Sequence, residues 1–321
     1  MEDILNITNG DSAANIMKKA GLPGGFLPWR DVLHDGPVPE NLSLNELSNV
    51  RARFLASLGW GNLLTISDDF KERNELLESF ENYSKVILWF EHDLYDQLQI
   101  LQILDWFSAN PSNKTQLFII CTEQYLGSTT AQQMKDLLKH ITPVTNEHLL
   151  LAKKAWAAFR APSPESWFSL LSEDTSKLEF LEGAILRLLE EYPSNSNGLS
   201  RTANIALSLI DEGETNPAKL FGLYIKTEER VFMGDASFWV ILNQLLATSP
   251  PLIQLSSAKQ LSLPPEADQK LSITTTGKDV LTGNKNWLDI IDIDHWIGGV
   301  KLTSQNLWLW DNEASKLIHS N

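Results

Sequence analysis

Three short stretches in the first hundred residues gather the side chains best suited to chemistry. In WFEHDLYDQLQ, residues 89–99, an apolar run is followed directly by Glu91, His92, Asp93, Asp96 and Gln97. His92 and Asp96 are four apart, as are Asp93 and Gln97, so each pair shares a face once a helix has begun. Glu91 or His92 can act as a general base, with Asp93 and Asp96 as orienters. A carboxylate and a histidine can also hold a metal, but the spacing matches no recognised ligand pattern, and no metal is assigned. The structural alternative is plain. Acids in a first turn complement the helix dipole, and Leu94, Leu98, Leu101 and Leu104 are then the core stripe.

The second stretch, FLPWRDVLHDGPVP (residues 26–39), concentrates Trp29, Arg30, Asp31, His34 and Asp35 among prolines and a glycine. Arginine offers a planar fork for phosphate or carboxylate, tryptophan a stacking face, and histidine a base near neutral pH. The alternative is an arginine–aspartate structural pair with Trp29 filling the core. The third stretch, ITNGDS, places Asn9, Gly10, Asp11 and Ser12 between an apolar run and an amphipathic one. Free amides at a helix start attract an anion, so this loop can cradle a phosphate or carboxylate. Equally, Asp11 or Ser12 can cap the helix while Asn9-Gly10 makes the turn. No dinucleotide glycine spacing and no Walker lysine are present, so neither nucleotide fingerprint is met and any cofactor stays open.

These stretches need elements to position them. Apolar runs at Ile4–Thr8, Gly25–Pro28, Val86–Phe90 and Gln116–Thr122 read as strands, and helical patterns follow at about 12–20, 43–58, 69–82, 93–108 and 129–139. Thr129 and Gln132 have capping-box spacing. Fully apolar runs such as VILWF suit strands buried on both faces, so an α/β domain with a parallel sheet covered by helices is expected over 1–160. All three chemical stretches then fall at the carboxyl ends of strands, where such sheets bind ligands. A helix over about 146–160 ends at RAPSPES, where Pro162 and Pro164 suggest the domain boundary.

The second domain, 161–321, is expected to be helical and winged-helix-like. A helix at about 176–192 precedes one capped by Ser200, another opened by Asn216-Pro217 and a third opened by Asp235; LIQLS and LSITTTGKDVL then read as two strands. The helix in the recognition position, DASFWVILNQLLATS, has no Lys or Arg, and the wing offers only Lys259 and Lys270 against Glu266 and Asp268. Phosphate neutralisation and the commonest guanine contact both need basic residues. Trp287, Trp296, Trp308 and Trp310 crowd the C-terminal region. They are either core or a docking face for a second copy or a protein partner.

Bulk properties agree with this outline. The 321 residues carry 26 basic and 41 acidic groups, net −15, and both halves are acidic, so nucleic-acid and anionic-membrane binding are disfavoured. No apolar run reaches the length of a spanning helix. The lone Cys121, in QLFIICT, excludes an intrachain disulfide framework and fits a reducing cytoplasm. Its apolar neighbours argue against a catalytic thiol.

The motifs ITNGDSAA, LPWRDVLHDGPVP and WFEHDLYDQLQILQIL, in this order and spacing, resemble a bacterial family known only as domain of unknown function number eighteen thirty-five. NGLSRT, GDASFW, LSITTTGKDVL and HWIGGVKL…LWLWD resemble the C-terminal part that often accompanies it. The resemblance implies a bacterial soluble protein and brings no activity with it. The residues therefore carry the functional expectation: a small molecule bearing phosphate or carboxylate, bound or processed by hydrolysis or group transfer. Gly10, Ser12 and Arg30 form the anion clamp, Trp29 the stacking wall, and His34, Glu91 and His92 the acid–base groups. A regulatory or adaptor protein, using its winged helix for protein contacts, is the alternative.

Overall fold

The computed structural model describes residues 3–257 and 260–320. Its first elements are β1 (Ile4–Thr8), α1 (Asp11–Lys19), β2 (Gly25–Pro28), the two-residue β3 (Gly36–Pro37), α2 (Leu44–Ser57) and α3 (Leu63–Glu78). Then come β4 (Lys85–Glu91), α4 (Leu94–Ala109), β5 (Gln116–Thr122), α5 (Ala131–Asp136), β6 (Thr142–Pro143), α6 (Asn146–Arg160) and α7 (Glu165–Ser169). Five strands form one sheet in the order β2-β1-β4-β5-β6. The first four are parallel, and β6 closes the edge antiparallel to β5. All five residues of β1 and six of seven in β4 are buried, which is why these strands read as unbroken apolar runs. Within this core the Trp89 indole N–H donates to Asn6 Oδ1 at 3.0 Å.

Chain order and strand order diverge at one place. From β1 the chain goes out to β2 on one side and returns to β4 on the other. The carboxyl ends of β1 and β4 therefore flank a topological switch point, the position at which parallel sheets leave a crevice.

Two compact units divide the chain: one runs to Ile185 and takes in Gly298–Val300, and the other comprises Leu186–Ile297 and the residues from Lys301 on. The first unit thus extends past the expected limit at 160. Beyond Pro162 and Pro164, Trp167 is buried, with its ring 5.5 Å from that of Phe159 and its indole N–H donated to the Ile185 carbonyl. A buried indole is enough to hold the segment on the first unit despite its prolines. Gly298 and Gly299 follow a close approach: a Cβ on Gly299 would lie 1.9 Å from the Arg160 carbonyl oxygen, and Gly298 has φ 57°.

The second unit takes over within α8 (Leu181–Leu189) and continues with α9 (Arg201–Asp211), α10 (Pro217–Tyr224) and α11 (Asp235–Ala247). Ser200 caps α9 and Asn216 caps α10 through their side chains. Strands β7 (Ile253–Leu255) and β8 (Leu271–Ile273) pair antiparallel, and Thr274 then caps α12 (Thr275–Leu281). The TTTGKDVL portion expected to be strand is this helix, because the Thr274 hydroxyl accepts from the Gly277 amide and starts a turn. Strands β9 (His295–Gly298), β10 (Val300–Leu302), β11 (Leu307–Asp311) and β12 (Lys316–Ser320) follow. Trp308 and Trp310, on β11, are buried, so that pair serves the core rather than a docking face. Lys259 lies outside the described residues. Among those described, no helix is long and apolar enough to cross a membrane.

Candidate functional site

Asn9, the residue after β1, joins the two sides of the switch point. Its amide donates to Glu91 Oε1 at 2.9 Å and to Asp96 Oδ2 at 3.0 Å, while its carbonyl accepts from the Tyr95 hydroxyl at 3.3 Å. Glu91 ends β4, Asp93 caps α4 by accepting from the Asp96 amide, and Asp96 lies in the first turn. The Glu91 amide donates to Asp96 Oδ1 at 2.7 Å, and the Leu126 amide to Glu91 Oε1 at 2.7 Å. Gln97 donates to the Glu91 carbonyl, fixing the strand-to-helix corner. Backbone and amide donors have thus gathered three carboxyl groups at one point.

Their burial governs their chemistry. Glu91, Asp93 and Asp96 are only 5%, 3% and 0% exposed. Removing a carboxylate from water favours the protonated form. Burial raises the Glu91 carboxyl, against the pull of its Leu126 and Asn9 hydrogen bonds. Burial, then the neighbouring Glu91 charge, pushes Asp93 up to about 7. Asp96 is held well above the usual carboxylate range by burial and by both neighbours. The cluster can therefore hold or release a proton near neutrality. Its oxygens, within 4.8 Å of one another, can also hold a cation if it displaces those protons.

The anion side is arranged differently from expectation. Gly10 is the N-cap of α1, in extended backbone, and no side chain caps the helix; neither Asp11 nor Ser12 does so. A Cβ on Gly10 would meet nothing within 4 Å. Asp11 instead forms a two-pronged ion pair with Arg30, both contacts at 2.7 Å and both side chains about half exposed. Arg30, at φ 58°, is therefore engaged, and the pair holds Asp11 below the usual carboxylate range. Ser12 is exposed at the start of the helix.

The remaining expected residues lie within the packed interior. Trp29 is fully buried and donates its indole N–H to Gln102, so it offers no open stacking wall. Asp31 is fully buried against Arg51 at 2.9 Å, an internal ion pair with no opening to a ligand. His34 is buried with its ring edge-on to that of Tyr95, centroids 5.9 Å apart, and its Nε2 lies 3.7 Å from Asp35. His92 packs against the rings of Tyr125 and Phe180. Burial of Cys121 pushes its thiol up to about 12, which removes it as a nucleophile near neutral pH. The three chemical stretches do come together, but as a largely closed cluster rather than an open cleft.

Tyr95, Arg51 and the Leu126 amide act here although the sequence did not single them out. Tyr95, Gln99 and Gln102 recur at helical spacing on α4 and hold the 29–34 loop; the Gln99 amide donates to the Asp31 carbonyl. Arg51 donates to the carbonyls of Val32, Asp35 and Pro37 and so sets the path of that loop. Its signal was available, since Leu47, Arg51 and Leu55 fall four apart on one stripe of α2, where a charge needs a buried partner. The Leu126 amide had none, because a backbone donor carries no residue type.

No protein-family model matches the chain, and no curated protein matches it. The functional reading therefore rests on the geometry just described.

Proposed function

We propose that the first unit binds a small molecule bearing a phosphate or carboxylate at the carboxyl ends of β1 and β4 and processes it by proton transfer, in a hydrolysis or group-transfer step. One observation carries this reading: Asn9 bonds to Glu91 and Asp96 across the switch point, beside an Asp93 carboxyl that burial pushes up to about 7. Asp93 is then the proton donor or acceptor, and Glu91 and Asp96 tune it. The anion seat is the uncapped first turn of α1 with Arg30. A half-exposed ion pair is worth at most about 1 kcal/mol, so a ligand anion can take Arg30 from Asp11.

The test is a thermal-shift screen of small phosphates and carboxylates, each at about 10 mM, since a binder raises the melting temperature by mass action. Arg30→Ala is expected to abolish the shift of a hit while lowering the intrinsic melting temperature little. A hit whose shift is unchanged in both Arg30→Ala and Asp93→Asn, or no hit at all, removes the proposal.

A second reading has its own observation. Three helices followed by an antiparallel pair is winged-helix order, and we read α9–α11 with β7–β8 as such a module. Its α11 has no Lys or Arg, and Phe238, Trp239, Leu242 and Leu245 are buried. That argues against DNA reading by α11 and leaves a regulatory or adaptor role through protein contacts as the reading. A second copy of this chain or another protein is the partner class. A reducing, cytoplasmic setting fits the lone cysteine.

A further inference from the structure

A cavity of about 230 Å³ lies between β2 and the α2–α3 helix pair, away from the carboxyl cluster. Its apolar wall includes Leu55, Phe70, Ile66 and Trp60, part of a small cluster between the two helices. Arg73 also lines it and is only 4% exposed. The Arg73 guanidinium lies over the rings of Trp29 and Phe70 at 4.2 and 4.4 Å. Its hydrogen bonds go to the Asn74 side chain, the Trp29 carbonyl and the Ser48 hydroxyl, all neutral acceptors.

The charge count in this region does not balance. Arg51 and Arg73 are both buried cations, and Asp31 is the buried carboxylate between them, already bonded to Arg51. Burial, and then the Arg51 charge, push Arg73 down to about 10 against the pull of Asp31, so it stays charged at neutral pH. Two buried cations share one buried carboxylate, and an anion entering the cavity lowers the cost of burying the second. A second group points the same way. The Trp60 indole N–H is buried and has no acceptor among the described residues. Buried indole N–H groups ordinarily find one. Asp69 also lines the cavity, but as an exposed residue at its rim.

We propose that this cavity binds a small carboxylate with a flat apolar body, the carboxylate meeting Arg73 and the Trp60 N–H, and the body lying against Phe70, Leu55 and Ile66. The volume is below the roughly 300–1,000 Å³ of drug-sized pockets, which restricts the ligand to about one ring. Arg30 of the proposed anion seat also lines this cavity, but Arg73 and Trp60 belong to neither that seat nor the carboxyl cluster, so the site stands whether or not the cluster is catalytic.

Benzoate, benzyl alcohol and acetate separate the contributions, titrated into the full chain by calorimetry. Benzoate is expected to bind one to one with a dissociation constant below about 1 mM, and benzyl alcohol and acetate at least about tenfold more weakly. Arg73→Gln should abolish binding, but this variant loses internal hydrogen bonds and can fail to fold. Trp60→Phe keeps the ring, removes a donor that has no internal partner, and should weaken benzoate about tenfold with the melting temperature unchanged. Benzyl alcohol binding as tightly as benzoate overturns the proposal. So does an unchanged affinity in Trp60→Phe, or no saturation by benzoate at about 10 mM.

Discussion

Asp93 is the residue whose charge the fold controls most directly. Its carboxyl is pushed to about 7 in the folded chain, above the ordinary value of 3.8. Between those limits the unfolded chain has lost the proton and the folded chain keeps it, so stability falls as pH rises from about 4 to about 7. Glu91 and Asp96 are shifted in the same direction and steepen the loss. Asp93→Asn removes this ionisation and keeps an oxygen to accept from the Asp96 amide. Relative to wild type, the variant should gain stability between pH 5 and pH 8, by no more than about 3 kcal/mol. Denaturant unfolding at both pH values measures it. A difference that does not change with pH would place Asp93 ionised and unperturbed.

At the scale of elements, the loops after β1 and β2 make opposite demands on their glycines. Gly10 has extended backbone and open space beside it, so Gly10→Ala should leave stability within about 0.5 kcal/mol. Gly36 has φ 72°, and a Cβ there would lie 2.4 Å from the Phe54 ring. Gly36→Ala should cost about 2 kcal/mol or more, read as a lower melting temperature. The sequence made β1 and β4 legible because they are buried and their composition shows it, whereas β5, buried only at Ile119 and Ile120, was legible from its apolar run alone. It misplaced finer features wherever a local bond competed. The capping box expected at Thr129–Gln132 sits one residue on, at Thr130–Gln133, because the Thr129 hydroxyl is already donated to the Leu126 carbonyl. That Asn9 and Glu91 lie at strand ends and Asp96 in a first helical turn was legible; that the three meet was not. The inward commitment of Trp29 and Asp31 was not, since it depends on Gln102 and Arg51, each more than 15 residues distant in the chain.

For the whole molecule the governing quantity is charge. With net −15 and no cation on α11, a titration of duplex DNA at about 50 mM salt should show no binding tighter than a weak, sequence-independent contact. A submicromolar complex with steep salt dependence would restore a DNA-reading role for the second unit. The boundary between units was the least legible large-scale feature. Two prolines near 162 look like a linker, yet the first unit continues to Ile185 and is completed by three residues from far along the chain.

That completion has a consequence for synthesis. The Val38 amide donates to the Gly298 carbonyl at 2.7 Å, and the Gly299 amide to the Phe159 carbonyl at 3.0 Å. A ribosome has to add about 110 residues after Ile185 before Gly298 exists, which takes on the order of 5–20 s at ordinary elongation rates. Throughout that interval the Val38 and Phe159 backbone groups must be satisfied by water. The nascent first unit therefore waits, incompletely bonded, while the second is made. A premature stop anywhere before Gly298 should leave a chain that is protease-sensitive in both units rather than one intact domain with a missing neighbour.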